Sequence, residues 1–422
     1  MNETLPLIDD YRPKAVLAWR EREPVTQGQF VAEARSLAAQ LPEGRYAINL
    51  CADRYRFMLA FCAVCLRGQT NLLPGSNVPA MIEALRQQYS GSYVLDDALA
   101  QAEPREIAAE SPEINAEHVA AIVSTSGSTG TPKTHAKTWR VLCETAQLAR
   151  ELFAPDDDTI NIVATVPPQH MYGLETSVFF ALAASCTAHH GKPFFPADIR
   201  VALAAVPPPR VLITTPIHLH ALIAAETKLP ELALIISATA PLSVELATQS
   251  EQIFGAPVRE IYGCTEAGSM ASRRPAQDSE WRLHPGMRIE AQGDGACIHG
   301  EHLPDVIFVG DDVEIHDPQR FQLLGRHADM LKVAGKRASL ADLTQKLLAI
   351  PGVEDAALLV PEGAERPAAL VVAPQGSEPF ILASLATQID TVFLPRPLRL
   401  VDRLPRNDVG KLSRAQLLEL LQ

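Results

Sequence analysis

A loop rich in small and hydroxylated residues is the strongest chemical signal in the chain. Residues 124–133 read STSGSTGTPK and follow an apolar run that predicts a buried strand. Glycine lets the backbone approach an anion closely, and free amides, hydroxyls and a lysine ammonium then supply donors. We therefore predict that this loop binds a polyphosphate, although a plain linker is the competing interpretation. A Walker A loop needs glycine directly before its lysine, and Pro132 precedes Lys133, which disfavours a P-loop NTPase.

The elements that would position this loop alternate between strands and helices. Apolar runs predict strands, and apolar residues at helical spacing predict helices. The predicted strands lie at 46–51, 120–124, 160–165, 210–214 and 232–237, and the predicted helices lie at 27–41, 54–67 and 139–153. Such alternation predicts an α/β fold with a largely parallel sheet.

The texture of the sequence changes near Gly325. Residues 326–422 carry 12 lysines and arginines against 11 aspartates and glutamates, whereas the whole chain carries 37 against 50. This stretch predicts a small α+β domain with helices at 340–349 and 413–420 and strands at 356–360 and 368–372. We therefore predict a large domain over residues 1–324 and a small one over 325–422.

Composition restricts the class of protein. The formal net charge of −13 argues against non-specific binding to nucleic acid or to acidic membranes. No apolar stretch approaches the roughly 20 residues of a membrane span, and no signal peptide is apparent, so we expect a cytoplasmic protein. Cys62 and Cys65 have CxxC spacing within an apolar run, which favours buried thiols over redox or zinc chemistry. The histidines at 189–190, and those at 218 and 220, lack neighbours that would complete a metal site.

Four further motifs follow the loop in order. They are YGCTE at 262–266, GDD at 310–312, Gly325–Arg326 with Lys332 and Gly335, and LPRNDVGK at 404–411. With the loop they resemble the motifs of the adenylate-forming superfamily, which contains acyl-CoA synthetases, peptide-synthetase adenylation domains and luciferases. The resemblance covers most of the chain. It implies a large AMP-binding domain, a small mobile C-terminal domain and an active site between them.

The resemblance implies an adenylation reaction that uses ATP and Mg²⁺. A substrate carboxylate attacks the α-phosphorus of ATP and expels pyrophosphate, so two anions must be brought together by cations and oriented donors. In this scheme Lys411 bridges the carboxylate and the α-phosphate. The β- and γ-phosphates are held by residues of the loop, namely Thr125, Ser126, Gly127, Ser128, Thr129, Gly130 and Lys133.

The same resemblance places the nucleotide. Thr265 contacts the α-phosphate, and Glu266 ligates Mg²⁺. Asp311 accepts hydrogen bonds from the ribose hydroxyls, with Arg326 beside it. The adenine is stacked on Tyr262 and lined by Gly263, Ala238, Thr239 and Ala240. Individually, the acids could be solvated loop residues, Tyr262 a core aromatic and Lys411 a surface lysine, but the ordered set favours the functional interpretation.

A second set of residues concerns the acid. Residues 167–173, PPQHMYG, resemble the superfamily's Pro-x-x-His segment, so His170, Tyr172 and Gly173 are expected at the acyl pocket together with Ser237. His170 as a core histidine is the alternative. Small residues around Tyr172 would suit a flat aromatic acid. Residues 335–343, GKRASLADL, resemble the ligases of aryl-polyene pigment pathways, which load a hydroxybenzoate-type starter onto an acyl carrier protein.

We therefore predict adenylation of a small, aryl carboxylic acid and transfer to a phosphopantetheine thiol of an acyl carrier protein. Arg396, Arg399, Arg403 and Arg406 would attract an acidic carrier protein, or the phosphates of CoA. One alternative is a CoA ligase for a medium-chain or hydroxy fatty acid, and another is a catalytically silent protein that binds ATP or an adenylate. Ala328 stands where many relatives have a polar hinge residue.

Overall fold

The structure, a computed structural model, divides into two compact units. The first comprises Met1–Arg288 and His299–Ile307, and the second comprises Ile289–Ile298 and Phe308–Gln422. The boundary predicted at residues 324 and 325 therefore falls within the second unit. The structure describes residues 3–101, 107–125, 133–153, 159–293, 295–303, 305–326, 330–333, 336–361, 364, 366–406 and 412–421.

The first unit alternates strands and helices along the chain. Its strands are β1 (Thr4–Pro6), β2 (Val16–Arg20), β3 (Glu23–Thr26), β4 (Tyr46–Asn49), β5 (Thr70–Leu73), β6 (Tyr93–Leu95), β7 (Glu113–Asn115), β8 (Val119–Thr125), β9 (Lys133–Thr138), β10 (Asn161–Ala164), β11 (Thr187–His189), β12 (Arg210–Thr214), β13 (Leu234–Ser237), β14 (Val258–Cys264), β15 (Gly268–Arg273) and β16 (Trp281–Leu283). Its helices are α1 (Gln27–Gln40), α2 (Arg54–Leu66), α3 (Pro79–Gln88), α4 (Trp139–Phe153), α5 (Met171–Gly173), α6 (Phe180–Ala183), α7 (Pro196–Ala205), α8 (Pro216–Ala224) and α9 (Val244–Phe254). A π-helical stretch, Leu174–Phe179, joins α5 to α6, and we call the continuous element helix 171–183.

Two sheets organise these elements. One runs in the order β16-β15-β14-β13-β12-β10-β11-β2-β3, and β14, β13, β12, β10, β11 and β2 pair in parallel. The other runs β6-β4-β5-β8-β9 and is parallel except for β9, which is antiparallel to β8. In a parallel sheet the carboxyl ends of the strands meet at one edge, where ligands of α/β proteins bind. The segments that follow β10, β12, β13 and β14 therefore share one edge.

Local sequence explains where the helices begin and end. Thr26 and Gln29 form a capping box at the start of α1. The carboxylate of Asp53 caps α2 by accepting a hydrogen bond from the Arg56 amide. Gly255 ends α9 in the left-handed conformation with φ of 69°.

The core of the first unit is built from the apolar faces of these helices and strands. Trp139, at the start of α4, is fully buried and packs edge-to-face on Phe179, with 5.3 Å between ring centroids. Cys62 and Cys65 are buried in the same core on α2, and burial raises the pKa of both thiols. The interpretation of this CxxC pair as core thiols is confirmed.

The second unit has its own core. From residue 310 onward its strands are β20 (Asp311–Asp317), β21 (Arg320–Arg326), β22 (Met330–Val333), β23 (Lys336–Ser339), β24 (Asp355–Leu359), β25 (Ala368–Val372) and β26 (Leu398–Leu400). Its helices are α10 (Leu340–Leu348), α11 (Glu378–Ala386) and α12 (Arg414–Leu421), and a 3₁₀ turn lies at Thr391–Phe393. Helix α10 packs on the three-stranded sheet β24-β25-β26 around Leu343, Leu347 and Val371. Three strands near the boundary, β17 (Met287–Gln292), β18 (Gly295–Gly300) and β19 (Ile307–Val309), are divided between the units.

The predicted α/β class is confirmed, and most predicted elements coincide with observed ones to within two residues. Strand β9 was not predicted, because its sequence KTHAKT has no apolar run. Helix 171–183 was not predicted as one helix because it begins in a segment rich in proline and continues through polar residues. No helix in the described part of the chain combines the length and the apolar character that crossing a membrane requires.

Candidate active site

The phosphate-loop motif connects two antiparallel strands. Thr125, the last residue of β8, pairs with Lys133, the first residue of β9. The loop is therefore followed by six residues of strand before α4 begins. Ser126, Gly127, Ser128, Thr129 and Gly130 lie outside the described residues, and of Thr125 only the backbone is described.

Strand β9 carries a row of basic side chains. Side chains alternate between the two faces of a strand, so Lys133, His135 and Lys137 share one face. Lys133 is exposed, whereas Lys137 is only 2% exposed, so the row runs from the surface into the interior. Burial lowers the pKa of Lys137.

This row ends at the hairpin that joins β14 to β15. Thr265 and Glu266 lie in its turn, between the paired residues Cys264 and Gly268, and we call residues 264–268 the acidic turn. The Nζ of Lys137 donates to the carbonyl oxygen of Glu266. The His135 Nε2 lies 3.4 Å from the Glu266 Oε1, within ion-pair distance but without hydrogen-bond geometry.

The Glu266 side chain is available as an anionic ligand. It is 47% exposed. Burial favours a higher pKa, but the backbone amide of Glu266, the His135 imidazole and the Cys264 thiol outweigh it, so the pKa of Glu266 falls below its usual value. The carboxylate is therefore ionised at neutral pH and presents hard oxygen ligands at the surface of the turn.

Helix 171–183 lies against the carboxyl ends of the parallel strands. The Tyr172 hydroxyl lies within hydrogen-bond distance of two carbonyl oxygens, those of Thr214 at 3.1 Å and Ile236 at 3.0 Å, near the ends of β12 and β13. Gly173 is packed so tightly that a Cβ there would lie 2.0 Å from the carbonyl oxygen of Pro167. His170 immediately precedes the helix, and Ser237 is the buried last residue of β13.

A buried guanidinium holds the segment that leads to His170. Arg54 is 1% exposed and donates to the carbonyl oxygens of Ala164 and Val166, both at 2.8 Å, and to the Ser177 hydroxyl. Burial lowers the pKa of Arg54 to about 9. Sequence analysis missed this residue, since an arginine at a helix start usually indicates a surface position.

The turn after β13 also has a distinct geometry. Ala238 is buried, whereas Thr239 and Ala240 are more exposed. Thr239 adopts a φ of 80°, the left-handed region that costs a β-branched residue roughly 1–3 kcal/mol and tends to occur at ligand sites. Glu260 on β14 accepts a hydrogen bond from the amide of Leu242 at 2.7 Å, which fixes the far end of this turn.

Tyr262 approaches the same edge from β14. Its ring is half-buried and lies 5.6 Å from the ring of Trp281, measured between centroids. Gly263 follows at a β-bulge, where a Cβ would lie 2.3 Å from the carbonyl oxygen of Gly268. The first unit thus assembles Lys133, Tyr262, Gly263, Thr265, Glu266, His170, Tyr172, Gly173, Ser237, Ala238, Thr239 and Ala240 around the carboxyl edge of its sheet and the adjoining hairpins.

Sequence analysis considered His218 only as a metal ligand and did not place it at this edge. It lies on α8, is 6% exposed and contacts the hydroxyls of Thr215 at 2.9 Å and Thr165 at 3.4 Å through Nδ1. Burial lowers the pKa of His218 to about 4, so the imidazole is neutral. The signal that marks it is its position in the first turn of α8, the helix that follows β12 at the edge where α/β proteins bind ligands.

The remaining predicted residues belong to the second unit. Asp311 begins β20 and Arg326 ends β21, and the two are paired directly across this hairpin. The predicted ribose ligands are therefore neighbours in the backbone ladder, although only the backbone of Arg326 is described. Lys411 lies outside the described residues.

Comparison with known proteins identifies the family. The model of the family described as AMP-binding enzyme matches residues 14–292. The chain belongs to this AMP-binding enzyme family. A 4-coumarate–CoA ligase from Halorhodospira halophila is 28% identical over 302 residues, which cover 69% of this chain and 74% of that protein. A salicylyl-CoA synthase/salicylate adenylyltransferase from a Streptomyces species is 24% identical over 361 residues, covering 72% of this chain and 63% of that protein.

Solved structures agree on the fold. An o-succinylbenzoate CoA synthetase from Bacillus subtilis, in complex with its acyl-adenylate intermediate, matches with a TM-score of 0.82 at 19% identity over 98% of both chains. Family membership and the relatives named CoA ligases identify this AMP-binding enzyme as an acid–thiol ligase that acts on a carboxylic acid through an acyl-adenylate, with ATP as the adenylyl donor. The alternative of a catalytically silent adenylate-binding protein is not supported.

The acidic turn fits the magnesium ion that this AMP-binding family uses with ATP. The part of the chain that the structure describes contains no group of three or more histidine, cysteine, aspartate or glutamate side chains able to hold a metal. Mg²⁺ is commonly bound by one or two carboxylates, with phosphate and water oxygens completing its shell. The ionised Glu266 supplies such a carboxylate. When bound, magnesium would neutralise charge on the phosphate oxygens.

Proposed function

We propose that the protein adenylates an aryl carboxylic acid and transfers the acyl group to the phosphopantetheine thiol of an acyl carrier protein. The observation that carries the adenylation step is the acidic turn. It presents an ionised Glu266 beside Thr265, and it is reached by basic side chains of the strand that follows the phosphate loop. Cations and an oxygen ligand for a metal are what a reaction between a carboxylate and a triphosphate requires.

In the first step, an oxygen of the substrate carboxylate forms a bond to the α-phosphorus of ATP. The bond from that phosphorus to the bridging oxygen breaks, and pyrophosphate leaves with the electron pair. Lys133 and residues 125–130 hold the β- and γ-phosphates, and Thr265 contacts the α-phosphate. Tyr262 stacks on the adenine, with Gly263 and residues 238–240 around it. Lys411 bridges the two reacting anions.

In the second step, the thiol gives up its proton to solvent and its sulfur forms a bond to the acyl carbonyl carbon. The bond from that carbon to the phosphate oxygen breaks, AMP leaves with the electron pair, and a thioester remains. Asp311 and Arg326 bind the ribose in this scheme. A small mobile domain over residues 325–422 withdraws Lys411 between the steps and brings the region of Gly335 forward. Rearrangement of this kind is a common point of control in enzymes.

The choice of an aromatic acid rests on small residues and on the relatives. Gly173 and Gly263 leave no room for a side chain, Ala238 is small and buried, and the Tyr172 hydroxyl is fixed to two backbone carbonyls. These features suit a flat ring beside Tyr172, with His170 and Ser237 at its border. The relatives named 4-coumarate–CoA ligase and salicylyl-CoA synthase act on aromatic acids, as their names say.

Acid-dependent exchange of labelled pyrophosphate into ATP tests this choice. Benzoates, hydroxybenzoates and cinnamates should support exchange at low concentration, whereas medium-chain and hydroxy fatty acids should not. The Lys411→Ala variant is the matched control, since exchange with every acid should fall. Faster exchange with alkyl acids would favour the fatty-acid CoA ligase.

A carrier protein as acceptor is supported by exposed arginines. Arg396, Arg399 and Arg403 are exposed around the edge strand β26, and they would attract an acidic partner. Arg406 is committed elsewhere, because it forms a bidentate ion pair with Asp355 at 2.6 and 2.7 Å. The docking surface we propose therefore consists of Arg396, Arg399 and Arg403.

The acceptor is tested by measuring thioester formation with CoA and with a holo carrier protein. Arg399→Glu/Arg403→Glu should slow transfer to the carrier protein and leave adenylation unchanged, and the slowing should diminish with added salt because screening weakens charge steering. Arg366→Glu, compared with Arg399→Glu alone, is the control that reverses the same number of charges away from the proposed docking surface. Efficient transfer to CoA, with carrier transfer insensitive to the reversal, would leave CoA as the acceptor.

A further inference from the structure

The acidic turn is held by contacts on both of its sides. Its central residues, 265–267, form a three-residue hairpin loop, and the hairpin closes at Gly268, which has a φ of 85°. A Cβ on Gly268 would lie 2.9 Å from the Oε2 of Glu175 and 3.1 Å from the Cγ2 of Thr145. The turn is therefore pressed against helix 171–183 and α4, and any other residue at 268 would displace it.

On one side, Lys137 is hydrogen-bonded to the backbone of the turn. Its ammonium is buried and donates to the carbonyl oxygen of Glu266. A buried charge is costly unless it is hydrogen-bonded, so the contact is worth more than an ordinary surface hydrogen bond. The bond fixes the peptide group whose side chain is the candidate metal ligand.

On the other side, Glu175 is hydrogen-bonded to the strand that leaves the turn. Its carboxylate is 2% exposed and accepts hydrogen bonds from the Ser269 amide, at 2.9 Å, and from the Ser269 hydroxyl. The same hydroxyl lies 3.0 Å from the Nε2 of the fully buried His284. Glu175 lies on helix 171–183, three residues after Tyr172 and five after His170. It therefore connects the helix beside the proposed acid pocket to the turn that bears Thr265 and Glu266.

We propose that Lys137 and Glu175 are positioning residues for adenylation, which together fix the acidic turn in the geometry that the reaction needs. Short polar turns are otherwise among the more mobile parts of a fold, and here two buried side chains from separate elements restrain the middle residue of the turn and the strand that leaves it. Displacing a reacting group by about 1 Å can cost about 10²-fold in rate. The inference rests on the proposed roles of Thr265 and Glu266.

The test measures how acid-dependent pyrophosphate exchange depends on Mg²⁺ concentration. In Lys137→Met and Glu175→Leu, we expect the concentration of Mg²⁺ for half-maximal exchange to rise about tenfold and kcat to fall about 10²-fold. Equilibrium binding of ATP without metal should change less than threefold, because the phosphate loop and adenine contacts remain. Lys137→Arg should recover part of the loss, since a guanidinium can still donate to the Glu266 carbonyl.

Two controls separate positioning from stability. Lys228→Met replaces an exposed lysine far from the turn in sequence. Glu251→Leu removes a partly buried carboxylate that accepts the backbone amide of Val258 at 2.8 Å and pairs with Arg274, and it should lower the melting temperature without changing the Mg²⁺ requirement. Ser269→Ala is a milder variant that keeps the test possible if the larger substitutions do not fold. It removes only the hydroxyl contact, and it should shift the Mg²⁺ requirement in the same direction as they do.

Glu266→Gln, measured alongside, distinguishes the two ways in which the idea can fail. If it leaves the Mg²⁺ dependence unchanged, the assignment of Glu266 is wrong and the inference falls with it. If it changes that dependence while Lys137→Met, Glu175→Leu and Ser269→Ala resemble Glu251→Leu, the assignment stands and the positioning role is refuted. The inference is supported if the Mg²⁺ requirement rises in Glu266→Gln, Lys137→Met, Glu175→Leu and Ser269→Ala and stays unchanged in the two controls.

Discussion

Replacing Glu175 with glutamine should change how the stability of the first unit depends on pH. Burial raises the pKa of Glu175 to about 7 from the value of 4.5 expected for an exposed glutamate, although the Ser269 hydroxyl and amide and the Lys137 ammonium oppose this. Between these pH values the folded protein retains a proton that the unfolded chain has released. The contribution of Glu175 to stability is therefore fully present below pH 4.5 and is lost as pH rises through 7.

The magnitude follows from the two pKa values. A shift of roughly 2.5 units corresponds to about 3 kcal/mol, because each unit is worth about 1.4 kcal/mol. Glutamine cannot ionise, so Glu175→Gln should lack this term. The difference in unfolding free energy, variant minus native, should increase by about 3 kcal/mol between pH 4.5 and pH 8.

Urea denaturation followed by tryptophan fluorescence is the suitable assay. All three tryptophans, Trp19, Trp139 and Trp281, lie in the first unit, so their emission reports the unfolding of that unit alone. Taking the difference between variant and native protein cancels the titration of other buried groups. A difference that stays constant from pH 4.5 to pH 8 would show that Glu175 is not a buried carboxyl of raised pKa.

Two further outcomes are expected. Arg54→Met should lower the unfolding free energy by about 2–5 kcal/mol, because the carbonyls of Ala164 and Val166 lose their donor, and it should also raise KM for the acid. Arg22→Met, at an exposed position, is the control, and equal denaturation midpoints for the two variants would contradict this expectation. His218→Gln should move acid unfolding to lower pH. Burial lowers the pKa of His218 to about 4, so protonation of this histidine destabilises the native protein as pH falls from 6.5 to 4, and glutamine cannot be protonated there. An unshifted midpoint of acid unfolding would be inconsistent with the burial of His218.

The parallel strands of the first unit were predictable because they are short apolar runs bounded by turn residues. Strands β10, β12 and β13 each contain three consecutive apolar residues, and these residues are buried on both faces of the sheet. Their carboxyl ends carry Thr214 and Ser237, so the edge that bears much of the candidate site followed from the order of the elements. The motifs then indicated which loops at that edge take part in chemistry.

The residues that support the site were not predictable in the same way. Lys137 is charged and Glu175 is acidic, and composition places such residues at the surface, whereas tertiary packing buries both. The signals were present but faint. Basic residues alternate at 133, 135 and 137 directly after the phosphate loop, and a single acid interrupts the apolar stretch that continues into Phe179 and Phe180. Neither pattern reveals its partner, because the contacts join elements that are more than 90 residues apart.

The most direct test of the central claim compares the two half-reactions in Lys411→Ala. Loss of one charge-stabilising group typically costs about 10²–10³-fold in rate, so acid-dependent pyrophosphate exchange should fall by that factor. Thioester formation from supplied acyl-adenylate should stay within a few-fold of the native rate, because the reaction between carboxylate and ATP is already complete. Equal losses in both half-reactions, or no loss in either, would contradict adenylation by these residues.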